Sequence, residues 1–257
     1  MQQPVSSQPS ADMPLLAAGD SGSEVQLAQR MLNREGALLA DDGKFGPSTA
    51  SAVRACQSRH GLKVTGILDR ATWATLLAIP EPCPGIDVRA IGFIAQQEIS
   101  NPELYSDQYA WPRWPGGQSG VTIGIGYDLR FAGNLQADWG GELDDGSLAM
   151  LDAWVGQPGS DDAVAALAGI AVSWQSAWAV FTSRTLPRVL TQTRGAFPGM
   201  DKLPLLSAGA LVSLVYNVGP GDGAEQAGDA GNQGGAGGWP AGGGAGIYSR
   251  HGAVVAK

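Results

Sequence analysis

Histidine is scarce in this chain of 257 residues, which contains only His60 and His251. A zinc hydrolase that binds its metal through a His-x-x-x-His pair, or through three protein ligands, needs more histidine than this. A serine or cysteine hydrolase with a histidine base would depend on one of these two residues. The shortage therefore argues against most metal- and histidine-dependent hydrolases.

Cysteine is equally scarce, with only Cys56 and Cys83. Two cysteines do not form a disulfide framework, so the redox compartment is undetermined and pairing between the two stays open. Cys56 and His60 lie four residues apart, as a catalytic dyad in a helix would. Both fall in an amphipathic helical pattern, however, so we interpret Cys56 as a core thiol and His60 as a surface residue.

Positive charge is also in deficit, because 16 Lys and Arg face 24 Asp and Glu and leave a formal net charge of −8. Binding to nucleic acid depends on a surplus of positive charge, so nucleic acid is not an expected partner. The chain has no run of 18 apolar residues, so we expect no membrane insertion. Residues 1–14 lack the charged start and apolar stretch of a secretory signal, which predicts a disordered leader.

The sequence does contain a compact helical pattern over residues 15–79. Ser21–Glu24 has the form of a capping box ahead of a first helix, and Gly36 predicts its end. Pro47 opens a second helix, and Asp69 can cap a third. Apolar residues recur at helical spacing at Val25, Ala28, Met31, Leu32, Ala50, Val53, Cys56, Trp73, Leu76 and Leu77. The pattern predicts a three-helix unit that is large enough to fold alone.

The turns and helices of this unit resemble a known module, the peptidoglycan-binding module of type one. The matching motifs are Gly19-x-x-Gly22-x-x-Val25, Asp42-Gly-Lys-Phe-Gly46-x-x-Thr49, Ala52-Val53-x-x-x-Gln57, Gly61-Leu62, Gly66 and Thr72-Trp73-x-x-Leu76. The module usually has Phe where this chain has Cys56. The resemblance implies peptidoglycan as the partner and makes Asp42, Gly43, Phe45 and Gly46 the expected wall-binding residues. The alternative to wall binding is that this copy of the module is a vestigial spacer, which keeps the motif only because its residues pack together.

A proline-rich stretch at residues 80–86 separates this unit from the rest of the chain. Three prolines within five residues make a stiff, extended linker. We interpret the stretch as a domain boundary, with a second domain over residues 87–220.

The second domain begins with a helical pattern over residues 88–99, in which Ile91, Ile94 and Ala95 form an apolar face. Glu98 lies one turn beyond Ile94 on the same side. A carboxylate on that face would be desolvated, which raises its pKa and suits a general acid. Periodicity alone favours the simpler alternative, a glutamate at a helix end that points to water.

Residues 120–128 alternate as a strand does. One face is formed by Val121, Ile123, Ile125 and Tyr127, and the other by Thr122, Gly124, Gly126 and Asp128. The two glycines would let a ligand approach the backbone, as the floor of a saccharide cleft requires, and a glycine-softened edge strand is the alternative. In a straight strand Thr122 and Asp128 would stand about 20 Å apart. They can act on one bond only if the chain turns back at the glycines.

Glu98 followed by Thr122-Ile-Gly-Ile-Gly126 resembles the phage-type lysozymes, whose catalytic Glu ends a helix. The spacing of 24 residues from Glu98 to Thr122, with an Asp after the Thr, is more similar to the pesticin-type muramidases. This resemblance implies Glu98, Thr122 and Asp128 as the catalytic residues. In the shorter phage pattern the Asp precedes the Thr, so Asp107 is the reserve.

Later segments extend the resemblance over about residues 88–220. The apolar run from Leu203 to Val218 predicts a buried helix, and its Tyr-Asn217-Val-Gly end is similar to the end of the central lysozyme helix. The expected substrate-binding residues are Gly124, Gly126, Tyr127, Asn217, Trp111 and Trp114. The two tryptophans lie in a Pro/Gly-rich loop. The sequence favours equally two roles for them, stacking on sugar rings and anchoring of the loop.

The two resemblances together imply a mainly α fold of the α+β class, with a three-helix module followed by a lysozyme-like helical domain and a small β-sheet. They imply hydrolysis between N-acetylmuramic acid and N-acetylglucosamine with inversion. Glu98 would act as the acid, while Asp128, ionised, would orient or deprotonate a water that Thr122 holds. We expect no metal, no cofactor and a monomer.

Two other functions stay open at this point. A wall amidase or peptidase is disfavoured by the few histidines, and a non-catalytic wall-binding protein with an inactive lysozyme-like domain is the other alternative. The lack of a signal peptide suits a protein made in the cytoplasm of a bacterial host, released by a holin or another delivery machine, and active in the periplasm or cell wall.

The last residues, 221–257, differ in composition from the rest. Fourteen of the 38 glycines fall in the last 39 residues, without a periodic apolar face. We interpret this stretch as a disordered tail. Our hypothesis for its composition is that the C-terminus is frameshifted or degenerate.

Overall fold

The structure is a computed structural model that describes residues 13–99 and 102–218. The predicted tail and almost all of the predicted leader lie outside the described residues. The chain divides into two compact units, Met1–Pro84 and Gly85–Lys257, and the division falls inside the proline-rich stretch. The described part is mainly helical with one small sheet, which confirms the predicted fold class. Within that part, no helix has the length and apolarity needed to cross a membrane.

The first unit has three helices, α1 Ser23–Arg34, α2 Pro47–Arg59 and α3 Arg70–Ala78. Their apolar stripes meet in one core, which buries Val25, Ala28, Leu32, Val53, Cys56, Trp73 and Leu76 as the periodicity predicts. Asp69 caps α3 by accepting from the backbone N–H of Thr72. The predicted capping box is wrong, because Ser21 forms a β-bridge with Lys44 and Gly22 precedes α1 instead.

Two buried glutamines organise the loops of this unit. The side-chain oxygen of Gln29 accepts from the N–H of Gly43, and its amide nitrogen donates to the Lys44 carbonyl. Gln57 does the same for a second loop, accepting from Gly66 N–H and donating to the Ile67 carbonyl. Buried amides that satisfy loop backbone groups in this way fix the loop shape.

The second unit begins with α4 Val88–Glu98 and α5 Pro102–Gln108, followed by strands β1 Thr122–Ile123 and β2 Tyr127–Asp128. The helices that follow are α6 Leu135–Trp139, α7 Asp145–Asp152, α8 Asp161–Ala166, α9 Trp174–Val180, α10 Leu186–Ala196 and α11 Leu205–Val218. Helix α4 packs against α11, and a π-helical segment Phe181–Thr185 joins α9 to α10.

Helix α11 is only partly buried, although its apolar run predicts a helix buried all round. Ala208, Val212 and Val215 are buried, whereas Leu205 and Leu214 are 55% and 50% exposed. The run therefore has one core-facing side and one apolar side in contact with solvent among the described residues.

Candidate functional site

The segment 120–128 is a tight hairpin and not the single straight strand that its alternation predicts. Strands β1 and β2 are antiparallel, with Thr122 opposite Asp128 and Ile123 opposite Tyr127. The chain turns back through Gly124 and Gly126, whose φ angles of +57° and +67° favour glycine. The turn thus brings together the two polar residues that a straight strand would hold apart.

Glu98 lies at the last position of α4, facing this hairpin. The apolar side of α4 is buried through Ile91, Ile94 and Ala95, and the side chain of Glu98 is half-buried beyond them. Its carboxylate reaches the backbone of Gly126, where an added β-carbon would stand 2.9 Å from Oε2. Burial raises the pKa of Glu98, and the positive charge of Arg113 opposes part of that rise. A carboxyl that keeps its proton in this way can serve as an acid.

Arg113 and Tyr216 are neighbours of Glu98 that the sequence analysis missed. Arg113 exchanges backbone hydrogen bonds with Thr122, N to O at 3.0 Å and O to N at 2.7 Å, and its guanidinium lies 4.2 Å from the centre of the Tyr109 ring. The Tyr216 hydroxyl lies beside Gly126, and burial together with the charge of Glu98 raises its pKa. A basic residue between two tryptophans of one loop was the only sequence signal for Arg113.

Asp128 lies at the base of the hairpin with its carboxylate fixed by backbone groups. Oδ1 accepts from the N–H of Gly120 and of Arg130, both at 2.9 Å. Burial raises the pKa of Asp128, while these two N–H groups and the charge of Arg130 act in the opposite direction. The carboxylate is therefore oriented by the fold and partly desolvated, next to buried Thr122.

Two residues predicted to bind substrate are instead part of the core. The space beside Gly124 is filled by Trp139 and Ala177, so this glycine permits packing and leaves no room for a sugar. Tyr127 is 6% exposed and donates from its hydroxyl to Asp138 Oδ2 at 2.8 Å. The predictions for Gly124 and Tyr127 are therefore wrong, because the hairpin turns both toward the protein interior.

The other residues predicted at the site lie in different surroundings. Trp111 is 47% exposed, whereas Trp114 packs against Gly159. The amide of Asn217 donates to the Ser213 carbonyl one turn earlier in α11. Asp107 is exposed on α5. Trp111 therefore offers an open aromatic face, and Trp114 anchors its loop.

The predicted wall-binding loop is held from within. Phe45 is 2% exposed and belongs to the core, so its predicted contact with the wall is wrong. Gly43 has a φ of +70° and lies against the Gly22 carbonyl. Asp42 accepts from Gln29 and from Lys44 N–H, which lowers its pKa. Gly46 is the residue before α2 and has open space beside it. Asp42 and the open side of Gly46 are the parts of the predicted set that remain available to a ligand.

One segment of the chain matches a known family model. Residues 21–76 match a family model described as "Putative peptidoglycan binding domain". A protein of Kitasatospora aureofaciens, described as an uncharacterized protein in the bpoA1 3' region, is 41% identical over 69 residues, which are 26% of this chain and 58% of that relative.

Two solved structures are similar over parts of the chain. The peptidoglycan-binding protein from Clostridioides difficile in complex with glutamine hydroxamate is 39% identical, over 25% of this chain and 40% of that one, with a TM-score of 0.25. The Burkholderia AP3 phage endolysin is 22% identical over 79% of this chain and 82% of that one, again with a TM-score of 0.25. The match to the family model, which lies within the first unit, identifies a peptidoglycan-binding domain there.

Proposed function

We propose that the second unit is a glycoside hydrolase that cleaves the glycan strand of peptidoglycan between N-acetylmuramic acid and N-acetylglucosamine, and that the first unit attaches it to the wall. The observation that carries this proposal is the position of Glu98. Its half-buried carboxyl, with a raised pKa, lies at the tip of a hairpin whose base pairs Thr122 with Asp128.

The chemistry follows from these surroundings. Protonated Glu98 donates to the glycosidic oxygen as the sugar develops the character of an oxocarbenium ion. Ionised Asp128, oriented by the N–H groups of Gly120 and Arg130, orients and deprotonates the attacking water. Thr122 lies directly opposite Asp128 and holds that water. The product then has the inverted anomeric configuration.

A second group of residues supports the acid. Gly126 has no side chain and so leaves the space that the Glu98 carboxylate needs, and Tyr216 closes the same space from α11. Arg113 holds back the rise in the Glu98 pKa, which keeps that carboxyl able to release its proton. Exposed Trp111 provides a face on which a sugar ring can stack.

Digestion of purified peptidoglycan tests the proposal. Wild type is expected to release new reducing ends, and mass spectrometry of the fragments identifies the bond that is cut. Glu98→Gln and Asp128→Asn should each lower the rate by about 10²–10⁴-fold, the usual contribution of an acid or base. Asp152→Asn, a change at an exposed carboxylate on α7, is the matched control and should leave the rate unchanged.

Other outcomes separate the alternatives. New free amines without new reducing ends would identify an amidase or peptidase. Wall binding without any product from wild type would identify a non-catalytic protein. Equal rates for wild type, Glu98→Gln and Asp128→Asn would show that these carboxylates do not act in the reaction.

A further inference from the structure

Three metal-ligating side chains meet in the first unit, far in sequence from the proposed catalytic residues. Glu35 directly follows α1, Cys56 lies in the last turn of α2, and His60 directly follows α2. The N–H of His60 donates to the Cys56 carbonyl at 3.0 Å, as it would in a helix, so the two residues lie on one side of the helix end. The packing of α1 against α2 brings the Glu35 carboxylate next to the Cys56 thiol and the His60 imidazole.

The donor atoms are close enough to share one ion. Glu35 Oε1 lies 2.6 Å from His60 Nε2, and the ligand atoms of all three residues lie within 4.8 Å of one another. Around a tetrahedral Zn²⁺ with bonds of about 2.0–2.3 Å, neighbouring ligand atoms stand roughly 3.3–3.7 Å apart. Small rotations of the Glu35 and His60 side chains, neither of which is fully buried, would therefore complete the geometry.

We propose that Glu35, Cys56 and His60 bind one Zn²⁺ ion. Thiolate, imidazole and carboxylate are the three ligand types that zinc combines in proteins. The set contains one soft sulfur and one nitrogen, which favours zinc over Mg²⁺ and Ca²⁺, whose ligands are oxygens.

The charges balance when the ion binds. The thiolate and the carboxylate supply two negative charges against the two positive charges of zinc, and neutral His60 binds through the lone pair of Nε2. On binding, the S–H bond breaks, the S–Zn bond forms and the proton leaves to solvent.

The surroundings support one open coordination position. Arg59 Nη1 lies 2.7 Å from Oε2 of Glu35, which holds that oxygen and leaves Oε1 for the metal. A groove lined by Glu35, His60, Ala74 and Thr75 opens to solvent. A water molecule that enters from this groove would complete a four-coordinate site.

The proposed ion site is independent of the proposed glycosidase, because all three ligand residues lie in the first unit.

Titration of the full-length, tag-free chain with Co²⁺ and Zn²⁺, after removal of metal with a chelator, tests the site. One equivalent of Co²⁺ should produce the thiolate-to-cobalt charge-transfer band, and Zn²⁺ should displace it and raise the unfolding temperature. Cys56→Ser should abolish the band. Cys83→Ser is the matched control, because Cys83 is the other buried cysteine and also forms no disulfide, and it should keep the band.

His60→Gln provides a second test at a side chain that is 35% exposed, where a folding defect is not expected. It should weaken the affinity for Zn²⁺ by at least about 10–100-fold, which is the usual loss when a residue that hydrogen-bonds to a metal ligand is mutated. The absence of a band in wild type, a band that survives Cys56→Ser, or an unchanged affinity in His60→Gln would each overturn the proposal.

Discussion

The Glu98 carboxylate lies directly against the backbone of Gly126. A β-carbon built on Gly126 would stand 2.9 Å from Oε2 of Glu98 and 2.5 Å from the Tyr216 hydroxyl. Real β-carbons do not approach other atoms so closely, so the carboxylate takes its position because this residue is a glycine. The glycine thus contributes to the site through the space that it leaves.

Gly126→Ala tests that relationship. The new methyl group would displace the carboxylate, and a misplacement of about 1 Å at a reacting group costs on the order of 10²-fold in rate. The left-handed φ of +67° adds a loss of stability of about 1 kcal/mol or more. Rates on purified peptidoglycan and the free energy of unfolding measure the two effects separately.

Gly156→Ala is the control for backbone strain. Gly156 has a similar φ of +75°, but nothing lies within 4 Å of its added β-carbon. It should lose similar stability and keep the wild-type rate. Equal loss of rate in both variants would mean that strain, and not contact with Glu98, explains the effect at Gly126.

The helices of the first unit and α4 could be predicted from the sequence, because each has a regular apolar stripe. Val53 and Cys56 are buried as their spacing requires, and so are Ile91 and Ile94. In these helices local periodicity and tertiary packing agree. The boundary at Ser21 failed because a contact with Lys44, 23 residues away, replaces the local cap.

The hairpin could be predicted only in part. Alternation between positions 120 and 128 is compatible with a straight strand and with a hairpin that has a three-residue loop, and the positive φ of the glycines decides between them. Gly124 was misassigned because an absent side chain accommodates a sugar or a protein neighbour equally well, and here the neighbour is Trp139. Tyr216 was missed because more than 100 residues separate it from Glu98, a contact that only the fold creates.

Glu98→Gln is expected to stabilise the protein at neutral pH. Because burial raises the pKa of Glu98, the folded state binds the proton more tightly than the unfolded chain does. The free energy of unfolding therefore falls as the pH rises from the ordinary glutamate pKa, about 4.3, through the raised value in the folded state. Gln does not ionise. At pH values above this range, the free energy of unfolding of the variant should therefore exceed that of wild type by about 1 kcal/mol, and below this range the two should be equal.

Denaturant unfolding at pH 7 and below pH 4 measures this difference. Glu142→Gln, at an exposed glutamate of the same unit, is the control and should change stability at neither pH. A gain for Glu98→Gln that persists unchanged at the lower pH would point to packing and not to ionisation.

Phe45→Ala distinguishes a core role from a wall contact. Phe45 is almost fully buried, so the change should cost about 3–5 kcal/mol in the stability of the first unit. Binding to peptidoglycan should then fall only under conditions in which the first unit unfolds. Lys44→Ala, at the exposed neighbouring position, should leave stability unchanged. A stable Phe45→Ala protein that no longer sediments with peptidoglycan would restore the contact role.

Trp111→Ala and Trp114→Ala separate the two roles that the sequence leaves open for this loop. Trp111 is exposed and free to stack on a sugar, so its loss should raise KM about five-fold, equivalent to about 1 kcal/mol, with little change in stability. Trp114 packs against Gly159, so its loss should lower stability first. Steady-state kinetics on soluble glycan fragments and thermal unfolding test both expectations. The stacking role of Trp111 is wrong if its variant keeps the wild-type KM while Trp114→Ala, still folded at the assay temperature, raises it.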